Sequence, residues 1–278
     1  MPVLMDLLIS MMRTMRVNLL KFSKNKESIM YTVTQRVKQF KQPKGGFINP
    51  KQFSVVHMED NSTLNPENIS PSNVGTVVDY LTRFMTGTPK DQAFHVPILG
   101  AMNVKDVDRC YDLLERVTGL DDDSIFSACQ LTGYDVAYRA GKMFYKPIDT
   151  IQPDTATIEN IRIMVNRSLA FWKQYGPVVL DGFNFHGGYT NTISAGDGDF
   201  LTADTLWDFK VLSSEPKNTH TLQLLVYYLL GIHSTHPEFK TIKRLGIFNP
   251  RLNKVYLLNI DSIPKEIVQT VSTDVIGY

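Results

Sequence analysis

Cysteine is scarce in this chain, and the two that occur, Cys110 and Cys129, are nineteen positions apart. Neither a disulfide framework nor a cysteine-based zinc site fits that number and spacing. We therefore interpret both residues as buried thiols of a protein that works in the reducing cytoplasm.

An excess of charge is also lacking, because 29 Lys and Arg residues balance 28 Asp and Glu residues to a net charge of +1. A balanced chain has no bulk attraction for nucleic acid, so any such binding must come from a local patch. The candidate patch is a basic run that consists of Arg36, Lys38, Lys41, Lys44 and Lys51. Its cations alternate with aromatic side chains as in a nucleic-acid contact arm, namely Phe40, Phe47 and Phe53. A solvated, flexible segment is the interpretation that we favour.

Long uninterrupted apolar stretches are missing as well. The first twenty residues are apolar and rich in Met, but Asp6, Arg13 and Arg16 interrupt them and no small-residue cleavage site follows. We therefore predict neither a signal peptide nor a membrane span, and no membrane association. Residues 1–35 are treated as an N-terminal extension, with Met30 as an alternative natural start.

The remaining chain divides into a loop-rich and helical lobe at residues 36–150 and a core at residues 151–278. Residues 36–73 have the composition of irregular loops. Helical spacing of apolar residues then predicts three helices, at Val74–Met85 with Ser72 or Asn73 as its cap, at Val104–Thr118 and at Asp123–Ala140.

The core begins with a long helix predicted from Thr155 or Thr157 to about Lys173 and then changes to strand patterning. Strands are predicted at residues 178–185, 193–201 and 205–211. An apolar helix in THTLQLLVYYLLGI and two more strands in RLGIFNP and KVYLLNI follow. The order of helix, three strands, helix and two strands predicts an α/β fold.

The most informative stretch is GDGDFLTADTLWDFKV, residues 196–211. Residues two apart on a strand share a face, so Asp208 and Lys210 emerge side by side. A tight turn at residues 202–205 can bring Asp199 opposite Asp208 on that face. Asp197 faces the same way, and either it or Asp199 could be the second carboxylate, with Asp199 favoured by the apolar residues that follow it.

Paired carboxylates are suited to a hard cation such as Mg²⁺ or Mn²⁺, which takes one or two protein carboxylates together with phosphate oxygens. Such a cation activates water for attack on a phosphodiester, and Lys210 can hold the attacking hydroxide and offset the developing charge. Gln223 and Tyr227, four residues apart on one face of the following helix, can support this chemistry. A buried, satisfied glutamine and a core tyrosine are the structural alternatives for this pair.

A carboxylate on one strand, D-x-K on the next and then a helix with Q-x-x-x-Y resemble the core of the PD-(D/E)XK nuclease superfamily, especially its RecB-like branch. The resemblance covers about residues 155–260 and implies a restriction-endonuclease-like mixed β-sheet core flanked by helices. RecB-like nucleases carry a G-x-x-x-H helix whose His is a further metal ligand. In VGTVVDYL, Asp79 occupies the place of that His, and Glu159 is a second candidate ligand.

The resemblance implies a Mg²⁺- or Mn²⁺-dependent deoxyribonuclease with Asp199, Asp208, Lys210, Gln223 and Tyr227 as its catalytic residues. Exonuclease action on DNA is the expectation, while RNA as substrate and endonucleolytic attack stay open. No G-x-x-x-x-G-K-[ST] motif occurs, so a helicase or recombination partner would be a separate chain. The alternatives are a catalytically silent nucleic-acid-binding or assembly module of the same fold, and an unrelated enzyme with an incidental D-x-K.

Overall fold

The computed structural model describes residues 30–278. The predictions for the first twenty residues lie outside this part of the chain, as does most of the N-terminal extension at residues 1–35. Of the helices formed by residues 30–278, none combines the length and the apolar character that crossing a membrane requires.

A six-stranded mixed sheet forms the centre of the fold. Its strands in chain order are β2 (Ser54–His57), β3 (Leu180–Asn184), β5 (Asp197–Leu201), β6 (Thr205–Phe209), β7 (Arg244–Asn249) and β8 (Lys254–Asn259). Across the sheet the order is β2-β8-β7-β6-β5-β3, in which β6 and β7 are parallel and the other neighbours antiparallel. Two short strands, β1 (Tyr31–Thr32) and β4 (Ile193–Ala195), pair with each other in parallel outside this sheet.

Helices flank the sheet, so the prediction of an α/β fold with a mixed sheet between helices is confirmed. In chain order they are α1 (Val33–Gln39), α2 (Pro71–Met85), α3 (Lys90–Ala93), α4 (His95–Val104), α5 (Val107–Arg116), α6 (Asp122–Leu131), α7 (Asp135–Arg139), α8 (Thr155–Tyr175), α9 (Asn218–Ile232) and α10 (Lys265–Thr270). A π-helical turn at Val271–Ile276 ends the fold.

The two faces of the sheet pack against different helices. Leu206 belongs to the larger core cluster together with the leucines of α9, and we call this side the α9 face. Trp207 points the other way and meets Phe171 of α8, with ring centroids 4.8 Å apart. Phe171 also stacks on Phe248 of β7, with centroids 4.1 Å apart. Successive residues of β6 therefore point alternately toward α9 and α8, as the two-residue repeat of a strand requires.

Helices α2 to α7 form a lobe that shares α8 with the sheet. Val77 and Leu81 of α2, Ile125 of α6 and Ile161 of α8 are buried in one cluster. This common core fixes α2 beside the end of the sheet where β3 and β5 lie, which is the end that carries the residues of chemical interest.

Residues 36–73 contain regular structure that their loop-like composition did not predict. Strand β2 pairs with β8 at the edge of the sheet, and all four of its residues are exposed. An edge strand with no buried side shows no apolar alternation, so periodicity could not find it. The interpretation of the basic run as flexible is also wrong, because Phe40 and Phe47 pack against the core and Phe53 is buried.

Several helices begin or end at residues other than the predicted ones, for reasons of local backbone conformation. Helix α2 begins at Pro71 after an N-cap at Ser70, whose hydroxyl accepts a hydrogen bond from Asn73 N at 3.1 Å. Ser72 and Asn73 are therefore not the cap, because Pro71 already suits the first helical position with its fixed φ and missing N–H.

The predicted helix at Val104–Thr118 is divided between two helices. Its first residue is the last of α4, and Lys105, with φ at 62°, ends that helix before α5 begins. The predicted helix at Asp123–Ala140 is likewise divided into α6 and α7 by a 3-10 turn at Thr132–Tyr134.

Candidate active site

Strands β5 and β6 place two carboxylates opposite each other. Their register pairs Phe200 with Trp207 and Leu201 with Leu206. One step further along the same register, Asp199 lies opposite Asp208. Directly opposed residues of an antiparallel pair share a face, and here that is the α9 face.

The backbone bonding between β5 and β6 gives way to a side-chain contact at this point. Phe209 N donates a hydrogen bond to Asp199 Oδ2 at 2.6 Å. The carboxylate of Asp199 is thereby held against Phe209 at the end of β6, one residue before Lys210. The structure thus brings Asp199, Asp208 and Lys210 together, as the sequence pattern predicts.

Asp208 is the most unusual group of this cluster. Its side chain is only 1% exposed, and its Oδ1 lies 3.0 Å from Lys210 Nζ. Apart from this ammonium, no hydrogen-bond donor among residues 30–278 reaches either carboxylate oxygen of Asp208. A buried carboxylate with so few partners is costly, since burial removes the water that would otherwise solvate it.

The electrostatic balance of the cluster is unfavourable for two negative charges. Burial and then the charge of Asp208 raise the pKa of Asp199 to about 7, against the lowering effect of Lys210. Burial acts to lower the pKa of Lys210, but the charges of Asp208 and Asp199 outweigh it and raise that pKa. Lys210 is therefore a cation at neutral pH, and one cation faces two carboxyl groups.

Helix α9 supplies the polar side chains that cover the α9 face of this cluster. Gln223 Nε2 donates a hydrogen bond to Tyr227 OH at 2.7 Å, and both side chains are buried. Burial and the nearby charges of Asp208 and Asp199 raise the pKa of Tyr227. The structure therefore brings Gln223 and Tyr227 to the carboxylates, although they bond to each other.

His220 belongs to the same surroundings and was missed by the sequence reasoning. Burial, followed by the charge of Lys210, lowers the pKa of His220, so its imidazole is neutral at pH 7. Its Nδ1 accepts a hydrogen bond from Lys217 N at 3.0 Å. The spacing of His220, Gln223 and Tyr227 on one helical face was the available signal.

Asp79 reaches the edge of the cluster from α2, but it is already engaged. Arg83 Nε lies 3.2 Å from Asp79 Oδ1, and a second nitrogen of Arg83 lies 3.4 Å from Asp181 Oδ1. The negative charge of Asp79 nonetheless contributes to raising the pKa of Asp199. Arg83 and Asp181 were missed by the sequence reasoning, although Arg83 follows Asp79 at the helical spacing of four residues.

Glu159 does not join the cluster. It lies on α8, which packs on the opposite face of the sheet from Asp208. Its carboxylate pairs with Arg162, whose guanidinium also bonds to Asp122 and to Leu120 O. Glu159 therefore belongs to the surface of the helical lobe.

Asp197 lies on β5 two residues before Asp199 and is exposed to solvent. In the sheet it pairs with Asn184 of β3. Its charge contributes to raising the pKa of Tyr227, so it lies near the cluster without being buried in it. Because solvent screens the charge of Asp197, it repels the other carboxylates less than Asp199 does.

A cleft of about 380 Å³ opens on the α8 side of the sheet, between α2, the end of α8 and β3, and none of Asp199, Asp208 and Lys210 lines it. Asp79, Arg83 and Asp181 line it together with aromatic side chains that include Trp172 and Phe209. Among residues 30–278 there is no group of three or more His, Cys, Asp or Glu side chains arranged to hold a metal ion. A cation at this site would therefore rest on two protein carboxylates.

No family model, curated protein or solved structure matches this chain. The case for a function comes from the residues of the chain itself.

Proposed function

We propose that the protein is a divalent-metal-dependent nuclease of the PD-(D/E)XK type that acts on DNA. The observation that carries the proposal is the buried carboxylate of Asp208, which lies opposite Asp199 and has the ammonium of Lys210 as its one close polar partner among the described residues. A divalent cation between these carboxylates would supply the charge that Lys210 alone cannot.

The order of elements supports a restriction-endonuclease-like fold. Helix α8 precedes the antiparallel strands β3, β5 and β6, and α9 then leads to β7, which is parallel to β6. The D-x-K pair lies at the end of β6, and the Q-x-x-x-Y helix covers it. The resemblance to the PD-(D/E)XK superfamily implies motif residues at these same places, on the second strand of a hairpin and on the helix that follows it.

Two carboxylates suffice for the proposed cation. Mg²⁺ commonly takes one or two protein carboxylates and completes its shell with water and substrate phosphate oxygens. When bound here, Mg²⁺ or Mn²⁺ would polarise a phosphodiester and acidify water next to it. Asp199 and Asp208 would hold the cation, and Asp79 would need to leave Arg83 before it could take part.

Lys210 has a separate role in this proposal. Its ammonium keeps its proton at neutral pH, so it donates hydrogen bonds and cannot act as a base. From its place beside Asp208 it would orient the attacking water and stabilise charge that develops on the phosphate oxygens. Gln223 and Tyr227 would keep the α9 side of the site closed to bulk water.

The second candidate is a catalytically silent nucleic-acid-binding module of the same fold. The observation that favours it is the lack of a three-ligand metal group among residues 30–278, together with the pairing of Asp79 with Arg83. Against this candidate, a carboxylate pair without a bound cation would repel the phosphates of a nucleic acid.

One experiment separates the two candidates. Single- and double-stranded DNA, linear and circular, is incubated with the protein in Mg²⁺, Mn²⁺ or EDTA, in parallel with Asp208→Ala and Lys210→Ala. A nuclease cuts only with metal, and each variant loses at least about 100-fold in rate. Binding without cleavage would favour the silent module, and cleavage that survives in both variants would refute the assigned residues.

A further inference from the structure

We propose that the basic loop, residues 40–53 with Lys41, Lys44 and Lys51, is a docking surface for the phosphate backbone of a DNA strand that leads into the active site. The inference rests on the proposed function and names the part of the chain that holds its substrate.

The charge of this region is strongly one-sided. Residues 30–57 contain five Lys and Arg residues and no Asp or Glu. The rest of the chain must then carry a slight negative excess, since the whole is almost neutral. A local excess of positive charge of this kind is a usual form of an electrostatic nucleic-acid contact.

The basic loop is seated firmly rather than free to move as an arm. Gln42 Nε2 donates to Asn218 O at 3.2 Å, and Thr221 Oγ1 donates to Ile48 O at 2.7 Å. Gly46 approaches α9 so closely that an added Cβ would lie 2.7 Å from Asn218 Cγ. Gly45 and Gly46 have φ values of +92° and +83°, which suit glycine and close the loop against the helix.

These contacts place the basic loop beside the active site. Asn218 and Thr221 are in the first turn of α9, and His220 lies between them. Helix α9 packs against β6 through the shared core cluster that contains Leu206, and His220 lies three residues before Gln223 on the helical face that covers the carboxylates. One helical turn therefore separates the loop from the site at which a phosphate would react.

The lysines of the loop have no competing partner within residues 30–278. Lys41, Lys44 and Lys51 are exposed, and no carboxylate lies within ion-pair distance of their ammonium groups. Arg36 differs, because its guanidinium donates hydrogen bonds to Val275 O and Asp274 O and so links α1 to the C-terminal turn. Unpaired lysines on a fixed loop attract phosphates at little cost in ordering.

The test measures binding apart from cleavage. A short fluorescent single-stranded DNA is titrated into Asp208→Asn protein, alone and combined with Lys41→Ala and Lys44→Ala. The matched control combines Asp208→Asn with Lys142→Ala and Lys146→Ala, which remove two exposed lysines from the helical lobe. The loop variant should bind at least about tenfold more weakly, and the slope of log affinity against log salt should fall by about 1.4 for two lost phosphate contacts.

A second variant moves the loop without changing its charge. Gly46→Ala places a methyl group against Asn218 at a left-handed φ, so it should displace the loop and weaken DNA binding in the same direction. Equal affinity and equal salt slope in the Lys41/Lys44 variant and the Lys142/Lys146 control would overturn the inference.

Cleavage kinetics distinguish this inference from the proposed function. In otherwise wild-type protein, the Lys41→Ala, Lys44→Ala double variant should raise KM and leave kcat unchanged. If the protein binds DNA through the loop but never cleaves it, the docking surface stands and the nuclease proposal fails. If it cleaves DNA and the double variant keeps its KM, the nuclease proposal stands and the docking surface fails.

Discussion

Metal-dependent stabilisation is the most quantitative consequence of the proposed carboxylate pair. Asp199, Asp208 and Lys210 together carry one negative charge when all are ionised, and Lys210 is the one close polar partner of the buried Asp208 carboxylate among the described residues. A cation that binds this folded arrangement, and has little affinity for the unfolded chain, must stabilise the protein. At a free Mn²⁺ concentration about 100 times its Kd, the stabilisation is roughly 2.7 kcal/mol.

For a protein of this size, each kcal/mol corresponds to roughly 2–4 °C in Tm, so Mn²⁺ should raise Tm by about 5–10 °C. Asp208→Asn removes one of the two ligands and should abolish the shift. Asp197→Asn makes the same change on the same strand face, at an exposed position, and should retain it.

The assay is differential scanning fluorimetry with Mn²⁺ or EDTA, and each variant is compared with itself because the substitutions also alter the metal-free protein. A wild-type Tm that ignores Mn²⁺, or an equal shift in Asp208→Asn, would refute the reasoning.

Two further predictions concern stability. Burial raises the pKa of Asp135 to about 6 from 3.8, despite its hydrogen bond from Tyr80 and the proximity of Arg139. The folded state then binds this proton more tightly, so the stability that protonation provides is complete below the unfolded pKa and is lost as pH rises through about 6. The loss over the whole range is at most roughly 3 kcal/mol, of which about 1.4 kcal/mol falls between about pH 5 and about pH 8. Asp135→Asn should remove it, so the free energy of unfolding in urea should differ less between about pH 5 and about pH 8 than in wild type. The second prediction compares two glycine substitutions. Gly246→Ala would place its Cβ 2.3 Å from the Trp207 ring and should destabilise the fold by about 1–3 kcal/mol. Gly75→Ala, in helix α2, would place its Cβ at an ordinary 3.5 Å from Val211 and should stabilise the fold by about 0.5–1 kcal/mol. Equal urea midpoints for the two alanine variants would contradict the packing of Trp207.

The core could be predicted from the sequence because its local signals agree with its tertiary packing. Residues 205–209 alternate between the two faces of the sheet, and α9 is apolar almost throughout because the sheet and neighbouring elements cover it. The convergence of Asp199 and Asp208 followed from strand geometry and one tight turn, both of which are local.

What could not be predicted depends on distant parts of the chain. Strand β2 gains its place only by pairing with β8, about two hundred residues later, and has no periodicity of its own. The predicted strand at residues 193–201 is divided at Gly196 because β4 pairs with β1, more than 150 residues earlier, and not within the main sheet. Similarly, the engagement of Asp79 by Arg83, and of Arg83 by Asp181, joins a helix to a strand a hundred residues away.

The most direct test of the central claim compares Mg²⁺-dependent DNA cleavage by wild type, Asp199→Asn and Asp197→Asn. The two substitutions remove the same charge from the same strand, two residues apart, at a half-buried and an exposed position. Asp199→Asn should lower kcat/KM at least about 100-fold, and Asp197→Asn should stay within about threefold of wild type. Equal losses, a loss confined to Asp197→Asn, or no Mg²⁺-dependent cleavage by the wild type would contradict the claim.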